Sequence, residues 1–306
     1  MIRQAKFNKI LLHPQYWLYW CLLPFMKALS CIPLSIQMKL GRFLGRCIPY
    51  IDRSRAQVAH KNISSCFPKL DQKQVHALWQ KNLEETGCAI FDTLNAWFWS
   101  DEKVAAHSEA YGLDHLKHIP KEQGILYFTI HSLPLEMGAR IIGLTYSGYG
   151  VYRPHNHPFI DYVQLKGRLR GSFGMIPKRD TRSMIRKLRE GAALWYTADQ
   201  DSGRAESIFA PFLGVKEART ITATSNLARV GRAKLVPFFV ERKPDHTYSL
   251  TLNSMIEHFP SSCITSDTHY VNELTGELVQ RNIAQYLWMH KRFKTRPEHD
   301  PQDFYT

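Results

Sequence analysis

A chain of 306 residues with 44% hydrophobic and 22% charged residues can bury a substantial core, which excludes a disordered polymer. Its net charge of +13 favours anionic partners such as nucleic acid, acidic lipid, a phosphorylated substrate or an acidic carrier protein. The basic residues are dispersed rather than gathered in a tail, which argues against a disordered nucleic-acid arm. The six cysteines form no CxxC pair and no zinc-type cluster, a pattern that suits a reduced, cytosol-facing compartment.

Arg3, Lys6 and Lys9 precede an aromatic-rich apolar segment from Tyr16 to Ile36, which Lys27 alone interrupts with charge. Pro24 and Pro33 spoil it as a clean transmembrane span, while Tyr16, Trp17, Tyr19 and Trp20 cluster as interfacial aromatics do. No small-residue cleavage site follows, so a removed signal peptide is not expected. Residues 1–50 are therefore expected to be a helical membrane anchor, spanning imperfectly or lying in the interface. The plainer reading is a buried N-terminal helix.

Residues 51–306 are expected to form the second unit, helical over 51–106 and α/β over 107–306. Val75, Leu78, Trp79, Leu83, Cys88, Ile90 and Phe91 recur at helical spacing, and Asp71 is placed to cap that helix. Beyond Gly112 short apolar runs alternate with amphipathic ones. Strands are predicted at Ile125 to Ile130, Gly150 to Tyr152, Ala193 to Thr197, Lys234 to Val240 and Thr247 to Asn253. Helices are predicted at Leu135 to Leu144, Pro158 to Leu169, around Met184 to Leu188, Thr220 to Val230 and Asp267 to Met289. Such alternation argues for an α/β fold with a largely parallel sheet flanked by helices, its site at the carboxyl ends of the strands.

The stretch GILYFTIHSLPLEMGARIIGL, Gly124 to Leu144, is the richest in chemistry. An apolar strand ends at His131, Ser132 can cap the following helix, and Pro134 is tolerated in its first turn. Glu136 then stands about one turn along, where it can accept a hydrogen bond from one imidazole nitrogen and leave the other as a base. Spacing alone does not separate this from a capping histidine and a surface glutamate. After the second strand come Arg153, Lys166, Arg168 and Arg170, suited to phosphate or carboxylate and equally to a solvated helix face. Asp199 and Asp201 close another strand. A magnesium reading of the two is disfavoured, since no phosphate-cradling glycine loop accompanies them. His155 and His157 lack a third ligand, so a surface loop is the better reading there too.

Taken together, LLHPQYWL, IHSLPLEMGAR, GVYRPHNHPFIDYVQLKGRLR, LWYTADQDSGR, LVPFFV and LWMHKRFKTRP resemble the late acyltransferases of lipid A biosynthesis, most nearly the Kdo-lipid IVA lauroyltransferase branch. The resemblance runs from about Leu11 to the end. It implies a glycerolipid acyltransferase-like fold at the cytoplasmic face of the bacterial inner membrane. It also implies transfer of a fatty acyl group from acyl carrier protein to a hydroxyl on the Kdo-bearing lipid A precursor. The histidine and acid of the family's HxxxxD/E motif match His131 and Glu136, and the resemblance adds Arg168 and Asp199 to the catalytic set. Arg153, Lys166 and Arg170 are expected to bind substrate. No metal, cofactor or nucleic acid is expected. The chemistry so read has His131 deprotonating the acceptor hydroxyl, Glu136 fixing its tautomer, and Arg168 meeting either the oxyanion or an acceptor phosphate. The competing readings are another glycolipid acceptor, the enzyme adding the other secondary chain, and a non-catalytic basic lipid-binding protein.

Overall fold

The computed structural model describes residues 2–201, 203 and 206–306; Ser202 and Arg204 of the LWYTADQDSGR segment lie outside them. Two 3-10 turns, Lys9–Leu12 and Pro14–Tyr16, lead into α1 (Trp17–Leu29), and Pro33 restarts the chain as α2 (Leu34–Ile51). Then follow α3 (Arg53–Cys66), α4 (Gln72–Phe98) and α5 (Asp101–Ala106). Asp71 and Gln74 form a reciprocal capping box at the head of α4, with bonds of 2.8 and 2.9 Å.

The α/β region runs β1 (Ser108–Tyr111), α6 (Asp114–Lys117), β2 (Ile125–Thr129), α7 (Leu135–Gly143), β3 (Gly148–Tyr152), α8 (Pro158–Arg168), β4 (Ser172–Pro177), α9 (Thr181–Arg189) and β5 (Ala193–Thr197). A hairpin of β6 (Ser207–Phe212) and β7 (Val215–Ile221) interrupts the alternation. It resumes with α10 (Ala223–Gly231), β8 (Lys234–Arg242), β9 (Tyr248–Leu252) and α11 (Ile264–Arg281). Seven strands form one sheet in the order β1-β9-β8-β2-β5-β3-β4, parallel except where β8 meets β9. Period-two alternation sorts β2 between two cores. Leu126 and Phe128 join side chains of α3, α9, α10 and α11, while Tyr127 joins those of α4, α5 and α7.

Three expectations need correction. The helix placed from Thr220 begins at Ala223, because Thr220 and Ile221 complete the β7 ladder. The last helix stops at Arg281 rather than Met289. Beyond it the chain becomes a strap whose backbone carbonyls are claimed by two buried asparagines. Asn62 donates to Trp288 O and His290 O at 2.7 and 2.8 Å, and Asn82 to Ala284 O and Tyr286 O at 2.8 Å each. Finally, no described helix is long and apolar enough to cross a membrane. The 13 residues of α1 rise about 20 Å, short of the roughly 30 Å hydrocarbon layer.

The N-terminal helices are fastened to the rest by glycine. Gly41 and Gly45 on α2 lie against Gly87 on α4, and a Cβ on Gly87 would overlap Gly41 O and Gly45 N. Backbone therefore touches backbone, burying the stripe Gln37, Met38, Gly41 and Gly45 and leaving the other face of α2 outward. Gly87→Leu should force this crossing apart and cost about 3 kcal/mol or more. Chemical denaturation in detergent would check it, and an unchanged midpoint would contradict so close a crossing.

Candidate active site

The site is set by strand register. Thr129 of β2 pairs with Thr197 of β5, so His131 and Asp199 each lie two residues past the ladder on neighbouring strands. Both Asp199 oxygens turn to His131. Oδ2 accepts from the His131 backbone N–H at 2.8 Å, and Oδ1 lies 2.5 Å from Nδ1. Asp199 is fully buried and His131 partly exposed. Burial alone would raise the Asp199 carboxyl, but the His131 charge and its two hydrogen bonds, with a smaller contribution from Arg292, outweigh it and hold Asp199 down at about 2. An ionised carboxylate only accepts, so Nδ1 carries the proton and donates. That leaves Nε2 as the basic nitrogen, 3.4 Å from Thr197 Oγ1.

Glu136 does not fill the place expected of it. Its Oε1 accepts from Arg168, at 2.8 Å from Nε and 2.5 Å from Nη2, and its Oε2 accepts from Trp97 Nε1 at 3.0 Å. The local argument failed because the helix does not start straight after His131. Ser132 bridges Tyr286, Leu133 N–H donates to Gln285 O at 2.7 Å, and Leu287 N–H donates to His131 O at 3.1 Å. The strap thus holds residues 131–133 outside the helix, and α7 begins only at Leu135 behind a turn at Leu133 and Pro134, so Glu136 turns toward α4 and α8. Ser132 consequently does not cap α7 through its side chain; its buried Oγ has no hydrogen-bond partner among the described residues. Burial works against charge on Glu136, yet the Arg168 guanidinium and the two donors hold its carboxyl below the ordinary value and raise Arg168 in turn. Trp97 stands over Gly167, where a Cβ would overlap its indole ring.

The remaining predicted residues scatter. Arg170 donates from Nη2 to Trp99 O at 2.7 Å, beside the buried Arg140, so part of its guanidinium is tied internally. Lys166 is exposed on α8, and Arg153 is exposed just past β3. Asp201 binds Gly203 N–H at 2.8 Å and Thr295 N–H at 2.9 Å, tying the strap to the loop after β5. With Asp199 given to His131, neither carboxylate is open to a cation. Among the described residues no three His, Cys, Asp or Glu converge as metal ligands. His157 packs edge-on to Tyr16 and against Tyr19 rather than pairing with His155 across an ion.

Sequence reasoning missed the strap. Tyr286 donates its hydroxyl to Asp199 O at 3.5 Å. His290, one turn past Leu287, keeps a buried Nε2 without a partner among the described residues, and burial followed by the nearby His131 charge lowers its proton affinity. A helical reading of Asn282 to Met289 concealed both, although Asn282 is a poor helix former placed after the final arginine.

A family model described as bacterial lipid A biosynthesis acyltransferase matches residues 4–295. The chain is 36% identical over 306 residues to the lipid A biosynthesis lauroyltransferase of Escherichia coli (strain K12), across 99% of this chain and all of that one. It is 34% identical over 300 residues to the lipid A biosynthesis palmitoleoyltransferase of the same organism, across 97% of each. Among solved structures, the 1-acyl-sn-glycerophosphate acyltransferase PlsC from Thermotoga maritima aligns with 81% of this chain and 97% of that chain, at a TM-score of 0.39 and 13% identity.

The His131–Asp199 couple carries an acid-stability signature. Because the folded Asp199 carboxyl lies below its ordinary 3.8, its contribution is full above that value and is lost as pH falls through about 2. Melting temperature measured from pH 5 to pH 2 should fall more steeply in the parent than in Asp199→Asn, which lacks this component.

Proposed function

The chain belongs to the bacterial lipid A biosynthesis acyltransferase family, and we propose that it carries a fatty acyl group from acyl carrier protein to a hydroxyl of the Kdo-bearing lipid A precursor. The observation supporting His131 as the general base is its pairing with Asp199, which engages Nδ1 and leaves Nε2 of a partly exposed side chain as the nitrogen able to take a proton. In this reading Nε2 takes the acceptor hydroxyl proton while the oxygen attacks the thioester carbonyl carbon. The tetrahedral intermediate collapses with loss of the carrier thiolate, which takes the proton back from His131. Asp199 fixes the tautomer and offsets the imidazolium charge, the role first given to Glu136.

Glu136 acts instead on Arg168, whose side chain is 24% exposed. Held by Glu136, which Trp97 fixes in turn, its guanidinium is a fixed cation whose remaining edge can meet an acceptor phosphate. Among acyl donors lauroyl is favoured by a narrow margin, 36% identity to the lauroyltransferase against 34% to the palmitoleoyltransferase.

The membrane reading rests on α1 and α2. Trp17, Leu18, Phe25, Phe43, Leu44 and Ile51 are exposed, with Lys27 and Lys39 exposed among them. An aromatic and aliphatic face fringed by cations suits helices lying in the interface of an anionic leaflet. We place the protein on the cytoplasmic face of the bacterial inner membrane on this basis, anchored by residues 1–50 lying in the leaflet.

Three outcomes follow from this reading. His131→Ala should abolish the gain of one acyl chain seen by mass spectrometry on the lipid A precursor, and parental turnover would exclude it as base. Asp199→Asn should lower kcat about 10³- to 10⁴-fold with little change in KM, whereas Glu136→Gln should raise KM for the acceptor; equal kcat losses for the two would restore Glu136 as the partner of His131. Phe43→Asp should weaken flotation with anionic vesicles about tenfold or more, since each such side chain buries some 1.5–3 kcal/mol of apolar surface. Unchanged flotation would remove α2 from the interface.

A further inference from the structure

The carboxyl edge of the sheet carries a second charged feature besides the His131 site. Arg153 leaves β3 and Lys178 leaves β4 side by side, because Tyr152 pairs with Pro177 and Lys178 N–H donates to Tyr152 O at 2.8 Å. Arg179 follows, and Arg182 stands in the first turn of α9. All four are exposed, and none forms an ion pair among the described residues. The acids on the same segments are already engaged. Asp161 pairs with Arg3 at 3.0 Å, Asp180 accepts from Ser183 N and Oγ at 3.1 and 2.9 Å, and Glu190 holds Lys187 at 2.6 Å. Arg186 extends the row one turn further, spaced four residues from Arg182 on the same helix face; its Nε lies 3.9 Å from a Glu190 oxygen.

Position makes this row more than a solvated face. β3 and β4 are two and three strands from β2, so their ends lie roughly 10–15 Å along the edge from His131. The row is exposed along its length, unlike the enclosed, converging donors that hold a single phosphate. An exposed line of cations along a helix matches a macromolecular surface of opposite sign, presented at a distance that a long flexible prosthetic arm can cross.

We propose that Arg153, Lys178, Arg179 and Arg182, continued by Arg186, form the docking surface for the acidic carrier protein that delivers the acyl thioester. This rests on the reading of the donor given above. The carrier's acidic helix lies along α9, and its thioester reaches the carbonyl-accepting position beside His131 from the β4 side of the sheet. Binding at such a surface is steered by charge and weakened by salt.

The test uses the full chain in detergent with labelled acyl carrier protein, followed by fluorescence anisotropy. Lys178→Glu/Arg179→Glu/Arg182→Glu should weaken carrier binding at low ionic strength at least about tenfold, with the gap to the parent closing as salt rises. KM for the lipid acceptor should stay at the parental value, and so should the melting temperature, since all three side chains are exposed. Parental carrier affinity in the triple variant overturns the docking surface. A raised acceptor KM with parental carrier affinity overturns it too, and assigns the row to lipid phosphates. If the parent fails to turn over the carrier thioester at all, the donor reading itself has failed, which is seen before any variant is compared.

Discussion

One hydrogen-bonded couple, His131 with Asp199, fixes what the rest of the molecule must accomplish. The two residues are 68 positions apart in sequence, and only the Thr129↔Thr197 register of adjacent parallel strands brings their side chains within 2.5 Å. A slip of one residue would turn every β5 side chain to the other face and remove Asp199 from the imidazole. The apolar alternation of Leu126 and Phe128 against Leu194 and Tyr196 therefore has a chemical consequence. By locking register in the core it also locks the geometry of the couple.

The strap completes that constraint from the other side. His131 cannot rotate into the start of α7, because its carbonyl and the Leu133 amide are spoken for by Leu287 and Gln285. Gln285 is itself gripped from below: its amide donates to Arg242 O at 2.8 Å and its Oε1 accepts from Arg242 N at 2.9 Å. The Arg242 guanidinium in turn is buried against Glu85 and Asp92 of α4. Burial pushes Asp92 toward the neutral form, and Arg242, with Tyr248, opposes it. A buried ion cluster of this kind adds less to stability than its Coulomb attraction suggests, since both signs lose water. What it provides is a fixed point beneath the strap.

Much of this architecture was legible and some was not, for reasons specific to each residue. Ala193 to Thr197 emerged with its true bounds because a short apolar run closed by polar residues reads as a buried strand. β4 was overlooked because Ser172 and Gly174 break its pattern and Phe173 faces outward. The C-terminal helix reads too long in the sequence because Ile283, Tyr286 and Met289 keep near-helical apolar spacing while serving a strap built of a 3-10 turn, a single bridge and a further turn. Glu136 was matched to His131 because sequence displays neighbours within a turn and hides neighbours across a sheet. The same blindness kept Trp97 and Arg168, 71 positions apart, from being seen as two sides of one carboxylate. Asp199 is readable in the sequence as a polar group closing a strand, while only the resemblance assigns it to the catalytic set.

The two carboxylates now divide the work along the lines of the two cores. Asp199 lies at the end of a strand and acts on the imidazole, so its geometry is inherited from the sheet. Glu136 lies in the first turn of α7 and acts on a cation from α8, with an indole from α4, so its geometry is inherited from helix packing. Those helices also meet the N-terminal segment: Gly87 on α4 receives α2, and Phe159 on α8 packs against Tyr16 and Trp20. On the proposed reading the proton-transfer couple is therefore positioned by the sheet. The Arg168 cation, by contrast, is mechanically continuous, through α4 and α8, with the helices proposed to lie in the leaflet. On that reading a lipid acceptor enters from the Arg168 side, and the proposed carrier protein approaches from the β4 edge. The thioester and the hydroxyl then meet at His131 from different directions, so neither substrate has to leave before the other can arrive.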